Sequence, residues 1–328
     1  MATQTATASQ FSSIVVHPQS EAGEIYRRAR AAGFPAEKQV NLRFFGGRTI
    51  EHLTYTNVYV GGKSAWDSDD VAQIDAALAA AMTDPHLNNV IAQYYADERP
   101  TTTFVPSRYL DGPVPQRVYR DTVEAFAAAL EQNGILSGHD PASTVVCLLL
   151  PKGHILVDGT KSGQERGHDD HDGHSAVDQD EAVDSKHGLG GYHGSVHAKH
   201  GPASTLYYAV SVYSEGTNGI PAFDEPWKNA CATLYHELNE ARTDPDVEDA
   251  VRAGSDPNAN RFLGWYSERG GEIGDIPMEE AGGDLGSVMV EVPVKAAPGT
   301  APIQLMWSNA VGGPEGPITH AHATAART

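Results

Sequence analysis

Residues 143–150, STVVCLLL, constrain this chain more than any other segment. Pro141 and Pro151 bracket the run, it carries no charge, and it is too short for a helix of ordinary length. It reads as a strand that is apolar on both sides. Such a strand has to be covered above and below, which calls for a sheet with helices on its faces. The flanking sequence supplies candidates. Asp69 and Asp70 open a segment with Val71, Ile74, Leu78 and Met82 at helical spacing, closed near Asp84-Pro85. A second helix is expected over 87–95, and a third over 116–132 with Val123, Phe126 and Leu130 on one face and Gly134 as its C-cap. The β-rich runs 54–60, closed by Gly61-Gly62, and 204–213 read as further strands. The expected fold class is α/β, a mixed sheet packed by helices. At 328 residues one large domain or two ordinary ones are possible. The assignment here is an N-terminal arm over 1–38 and one domain over 39–328.

Residues 158–188 break the pattern, with almost no apolar side chain and many His and Asp. His168, His171 and His174 alternate with Asp169, Asp170 and Asp172, but no periodic frame fixes their geometry. The stretch reads as a disordered insertion into the domain, dispensable for folding because loop length costs stability only logarithmically.

Composition removes several function classes. Lys and Arg number 23 against 43 Asp and Glu, a formal charge of −20, and no basic cluster interrupts that excess. Nucleic-acid binding is therefore not expected. The longest apolar runs, 76–82 and 145–150, are far too short to span a bilayer. The first twenty residues lack a basic start and an apolar stretch, so they do not read as a secretory signal. Cys147 and Cys231 both sit in apolar patterns and read as buried thiols, in keeping with a cytoplasmic protein.

Chemistry concentrates in the segment 226–243. Asp224-Glu225-Pro226 is a helix start, and Asp244-Pro245 ends the helix. Between them Trp227, Cys231, Leu234, Tyr235, Leu238 and Ala241 form an apolar stripe directed at the sheet. Away from that stripe stands His236-Glu237-Leu238-Asn239-Glu240. Residues four apart share a helix face, so His236 and Glu240 can hold one cation while Glu237 sits beside it. This is the arrangement of H-E-x-x-H zinc enzymes with a carboxylate in place of the second histidine, a ligand zinc also accepts. Alone, the pentamer is a weak signal that more often belongs to an ordinary charged surface helix. Gly270-Gly271-Glu272-Ile273-Gly274-Asp275 strengthens the metal reading, because a one-helix site needs a third ligand from downstream. Between the two carboxylates, Asp275 is favoured as the inner ligand: the glycines allow close approach, which suits a short side chain. Glu272 would then orient His236 or His193.

These blocks resemble the bacterial relatives of the plant exordium (phosphate-induced) protein family, described as metallopeptidases. The family's H-E-[LI]-x-E-x-x-[TS]-[DN]-P block matches His236, Glu237, Leu238, Glu240, Thr243, Asp244 and Pro245. Its G-W-Y … E-I-G-D block matches Gly264, Trp265, Tyr266, Glu272, Ile273, Gly274 and Asp275. Its G-[YF]-H-[GS] block matches Gly191, Tyr192, His193 and Gly194, and a weaker similarity includes 304–309, QLMWSN. The resemblance implies a single zincin-like domain. The cysteines family members carry beside two of these blocks are replaced by glycine and by Ile276-Pro277, as expected of a chain kept in a reducing compartment. His193 can be a turn histidine bonded to backbone, a metal ligand, or a catalytic hydrogen-bond donor beside the metal. Trp265 and Tyr266 read as packing or pocket walls.

Two functions of different class follow. One is a zinc-dependent hydrolase, peptidase-like, acting on a peptide or a small amide or ester. In it His236, Glu240 and a second-cluster carboxylate hold the Zn2+, Glu237 is the general base and His193 assists; the same apparatus could serve a lyase or cyclase. The other is a non-enzymatic interaction module whose metal site is closed by four protein ligands.

Overall fold

The computed structural model describes residues 14–20, 40–96, 99–160, 183–197, 205–254, 256–295 and 299–326. Its central sheet consists of β1 (Ile14–Val16), β3 (His52–Val60), β4 (Thr101–Leu110), β6 (Thr144–Leu149), β8 (Leu189–His197) and β9 (Thr205–Ser211), in the order β1-β8-β9-β6-β3-β4. The strands from β9 to β4 run parallel, whereas β8 is antiparallel to β9 and β1 antiparallel to β8. Two-stranded ribbons join β2 (Leu42–Phe44) to β10 (Trp265–Ser267), β5 (Arg117–Tyr119) to β7 (Ile155–Val157), β11 (Met289–Pro293) to β12 (Thr300–Gln304), and β13 (Met306–Ser308) to β14 (Gly313–Glu315). The helices are α1 (Ser68–Thr83), α2 (Pro85–Ile91), α3 (Arg120–Gln132), α4 (Pro226–Thr243), α5 (Val247–Ala253) and α6 (Asp275–Ala281).

Every residue of β6 is buried, and its side chains alternate between two apolar layers. Val145, Cys147 and Leu149 join Tyr55, Tyr59, Tyr207 and Ala209 under α1, α2 and α4. Val146 and Leu148 join Val58, Val60, Tyr208 and Val210 over Val123, Ala127 and Leu130 of α3. Each fully buried Val or Leu contributes on the order of 1.5–3 kcal/mol. Both layers draw on strands from either side of 158–188, so this is one α/β domain with a mixed sheet, as expected. Cys147 and Cys231 are buried and free. Among the described residues no helix is long and apolar enough to cross a membrane.

The apolar stripe of α4 faces the sheet, with Trp227 half-buried at its edge. The opposite face is not solvent: α4 also contacts β12, and every residue from Asn229 to Thr243 is buried. Its polar groups therefore lie in the interior, where unpaired charge is costly.

Elsewhere the structure revises the boundaries. Residues 116–132 divide into β5 and α3, and 87–95 into the end of α2 and a 3₁₀ turn, Ala92–Tyr94. β4 has a mostly half-exposed pattern and contains Pro106, which is tolerated because the strand is at the sheet edge and its register with β3 shifts there. Part of the arm over 1–38 belongs to the sheet, since Ile14–Val16 pairs with β8. His168, His171 and His174 lie outside the described residues, but the end of the 158–188 segment is no spacer. Asp184 receives Arg117 Nη2 at 2.8 Å, and Ser185, fully buried, hydrogen-bonds Asn218. Excising 158–188 whole would remove these contacts.

Candidate metal centre

Three elements bring the chemistry-bearing residues together. Along β8, Tyr192 points into the α3-side layer, so His193 points to the α4 side. α4 presents His236, Glu237 and Glu240. The turn entering α6 supplies Glu272 and Asp275. His193, His236, Glu237, Glu240 and Glu272 are each 0% exposed and Asp275 is 6% exposed. The approach of that turn depends on Gly274: a Cβ there would lie 2.5 Å from Nδ1 of His236. Gly274→Ala is therefore expected to displace the turn from α4 and destabilise the protein by at least about 2 kcal/mol, as overpacking of a tight interior does; chemical denaturation measures this.

Gln304, the last residue of β12, fixes the His236 ring. Gln304 Nε2 donates to the Gly274 carbonyl at 2.7 Å, so its Oε1 accepts from His236 Nδ1 at 2.8 Å. In the neutral ring the proton then lies on Nδ1, and Nε2 faces Glu240 Oε1 at 3.0 Å and Asp275 Oδ1 at 4.0 Å. The close approach to Glu240 lacks the alignment of a hydrogen bond, and Nε2 has no hydrogen-bond partner. Glu240 Oε1 instead accepts from the backbone N–H groups of Gly274 and Asp275, at 3.2 and 3.1 Å. Gln304→Leu should weaken metal binding by roughly 10–100-fold, the usual effect of removing the partner that orients a histidine ligand; competition with a chromophoric chelator measures it.

His193 lies on the other side of Glu240. Its Nδ1 is 3.2 Å from Glu237 Oε2 and 3.7 Å from Glu240 Oε2; its Nε2 is 3.3 Å from the Asp244 carbonyl and 3.7 Å from Glu272 Oε1. Glu237 Oε1, Glu240 Oε2 and both carboxylate oxygens of Glu272 are buried without a hydrogen-bond partner. Burial, reinforced first by Glu240, raises the Glu237 and Glu272 carboxyls well above their ordinary range. Burial likewise raises Asp244, against the Gly264 N–H that favours its charge. The His193 imidazole is pushed down to about 4 by burial, with Glu240 opposing. For His236 burial also acts downward, but Glu240 and Asp275 outweigh it and the net shift is upward.

These features fit a divalent cation. Two groups of ligand atoms, His236/Glu240/Asp275 and His193/Glu240/Glu272, each lie within 4.8 Å of one another. Ligand atoms about 2.1 Å from one tetrahedral zinc sit about 3.4 Å apart, between the 3.0 and 4.0 Å that separate His236 Nε2 from Glu240 Oε1 and Asp275 Oδ1. Orphaned carboxylate oxygens in a dry interior are what such an ion would satisfy.

The arrangement differs from expectation in one respect. Glu272 does not orient His236; Gln304 occupies that place, and Glu272 lies beside His193. Gln304 stood in the QLMWSN similarity and Asp244 in the T-D-P block, but nothing in their spacing assigned Gln304 to a histidine or the Asp244 carbonyl to His193. Trp265 and Tyr266 are buried packing residues.

No family profile and no curated protein matches this chain. Among solved structures, a similarity exists to metalloproteinase-II from Bacteroides fragilis, with 14% identity, a TM-score of 0.27, and coverage of 78% of this chain and 60% of that one. This chain thus spans about three fifths of that protein's length, and the overlap of the two folds is too small to carry an argument about either fold or activity.

Proposed function

We propose that this protein is a zinc-dependent hydrolase of zincin-like type, acting on a peptide or a small amide or ester, with the cation held by His236, Glu240 and Asp275. The observation that supports it most is the orientation of His236, whose ring is fixed by Gln304 and whose Nε2 is aimed at Glu240 and Asp275 without a hydrogen-bond partner. The resemblance of the same residues to the exordium-family blocks agrees with this reading. A bound divalent cation supplies the positive charge that acidifies water and polarises a carbonyl. Glu237 supplies the base. Its buried carboxyl holds a proton more firmly than an exposed one, which suits a group that takes a proton from water and returns it to a leaving amine. His193, 3.2 Å from Glu237 Oε2, positions that carboxylate. The full chain loaded with zinc should hydrolyse members of a panel of fluorogenic peptides, amides and esters, and chelation should stop it.

Burial favours a second reading. With the cluster 0–6% exposed, the site has the closure of a structural metal centre, and the protein would then be a metal-stabilised module. Stoichiometric tightly held zinc with no hydrolysis across that panel selects this reading.

Either reading makes stability depend on metal and pH together. Glu237, Glu272 and Asp244 have folded pKa values raised above the ordinary 4.5 and 3.8, so their stabilising contribution is present below those values and lost as pH rises. His193, lowered to about 4, contributes stability that is present above its ordinary 6.5 and lost as pH falls toward 4. Metal-free protein should therefore be most stable in mild acid and weaken toward pH 8. Metal binding favours the ionised carboxylates and so strengthens with pH. At a hundredfold excess over Kd the gain is about 2.7 kcal/mol, or roughly 4 °C in Tm for a chain of this length. Calorimetry with and without zinc should show this gap widening from pH 5 to pH 8.

A further inference from the structure

We propose that the centre holds two divalent cations, the second bound by His193, Glu272 and the outer oxygen of Glu240, with Glu240 bridging the pair. The inference rests on the reading of His236, Glu240 and Asp275 as ligands and extends it to residues that one ion leaves unexplained.

The two oxygens of Glu240 face different histidines. Oε1 lies 3.0 Å from His236 Nε2, whereas Oε2 lies 3.7 Å from His193 Nδ1 and has no hydrogen-bond partner. The carboxylate thus separates two groups of donors that share only itself. On the His193 side, Glu272 is 0% exposed and neither of its oxygens is hydrogen-bonded. A single ion at His236, Glu240 and Asp275 would leave that carboxylate buried, and its orphaned oxygens would need either a proton or a cation of their own.

Charge balance points the same way. Glu237, Glu240, Asp244, Glu272 and Asp275 are five carboxylates gathered in one interior region, at most 6% exposed. Among the described residues, Glu237, Glu240, Asp244 and Glu272 form no ion pair with a lysine or arginine. With all five ionised, one divalent cation leaves three negative charges uncompensated and a second leaves one. The imidazole and carboxylate donors suit zinc, cobalt or manganese. A carboxylate bridge sets such ions about 3.5–4 Å apart.

The test counts ions and asks whether they sense each other. The full chain is used in a background with His168, His171 and His174 changed to Ala, so that the His/Asp-rich stretch adds no ions. It is stripped with chelator, titrated with Co(II) or Zn(II), dialysed and assayed for metal. Two ions per chain are expected, with the electron paramagnetic resonance signal of the first Co(II) attenuated by spin coupling as the second binds. Glu272→Gln and His193→Asn should each lower the count from two to one and restore the uncoupled signal. One ion per chain in the unsubstituted site overturns the second site, whether or not those variants retain it, while leaving the hydrolase reading standing. Two ions with fully uncoupled signals overturn the Glu240 bridge. No retained ion overturns both this inference and the reading on which it rests. The count and coupling in the parent background decide the matter even if a variant fails to fold.

Discussion

Glu237→Gln should leave metal bound and lower turnover by roughly two to four orders of magnitude, the range expected for losing a general base. The substitution keeps the size of the side chain and removes its ability to take a proton. Glu237 is 0% exposed, and only its Oε2 is near a polar partner, His193 Nδ1 at 3.2 Å. An amide can fill the same space, so the ligands on the turns of α4 and α6 need not move. Stability should change little or rise, because the variant no longer places a carboxylate where burial and Glu240 disfavour its charge. Metal analysis and turnover on the same preparation separate the roles. Metal loss in proportion to lost activity would make Glu237 a ligand.

His236→Ala should instead abolish metal retention and activity together. Nε2 of His236 is the nitrogen donor aimed at Glu240 and Asp275, and Gln304 fixes it there. Without it the remaining ligands of that group are carboxylates, which hold zinc less selectively against water. The truncation also opens a hole between α4 and Gly274, which is packed so close that a Cβ there would lie 2.5 Å from the ring. A stability loss of roughly 2–4 kcal/mol follows from the cavity and from the broken bond to Gln304. Glu240→Gln tests the same ligand set with less disturbance of packing, and its metal affinity should also fall sharply.

Much of this was legible because some signals are strictly local. The charge-free run of β6 required cover on both faces, and both layers are present. The i, i+4 placement of His236 and Glu240 follows from helix geometry alone, and the two side chains meet at 3.0 Å. What the sequence did not reveal depends on distant partners. β8 has no strand signal in the sequence, because Gly190, Gly191 and Gly194 are poor strand formers. Yet at Gly191 a Cβ would meet the Val210 carbonyl and approach Glu237, so the glycine serves the close packing of strand and helix. The turn at 270–275 leads into a helix, α6, that is too short to show a periodic pattern. Nor could periodicity reveal that the polar face of α4 is covered by β12, a strand far downstream in the sequence. The role of Gln304 depends on that cover.

The most direct test of the metal centre is an anomalous-scattering measurement at the zinc absorption edge, on crystals of protein purified without added metal. The account predicts a peak about 2.0–2.2 Å from His236 Nε2 and from oxygens of Glu240 and Asp275. Absence of a peak between α4 and the turn entering α6, or a peak only at the histidines of 158–188, would contradict it.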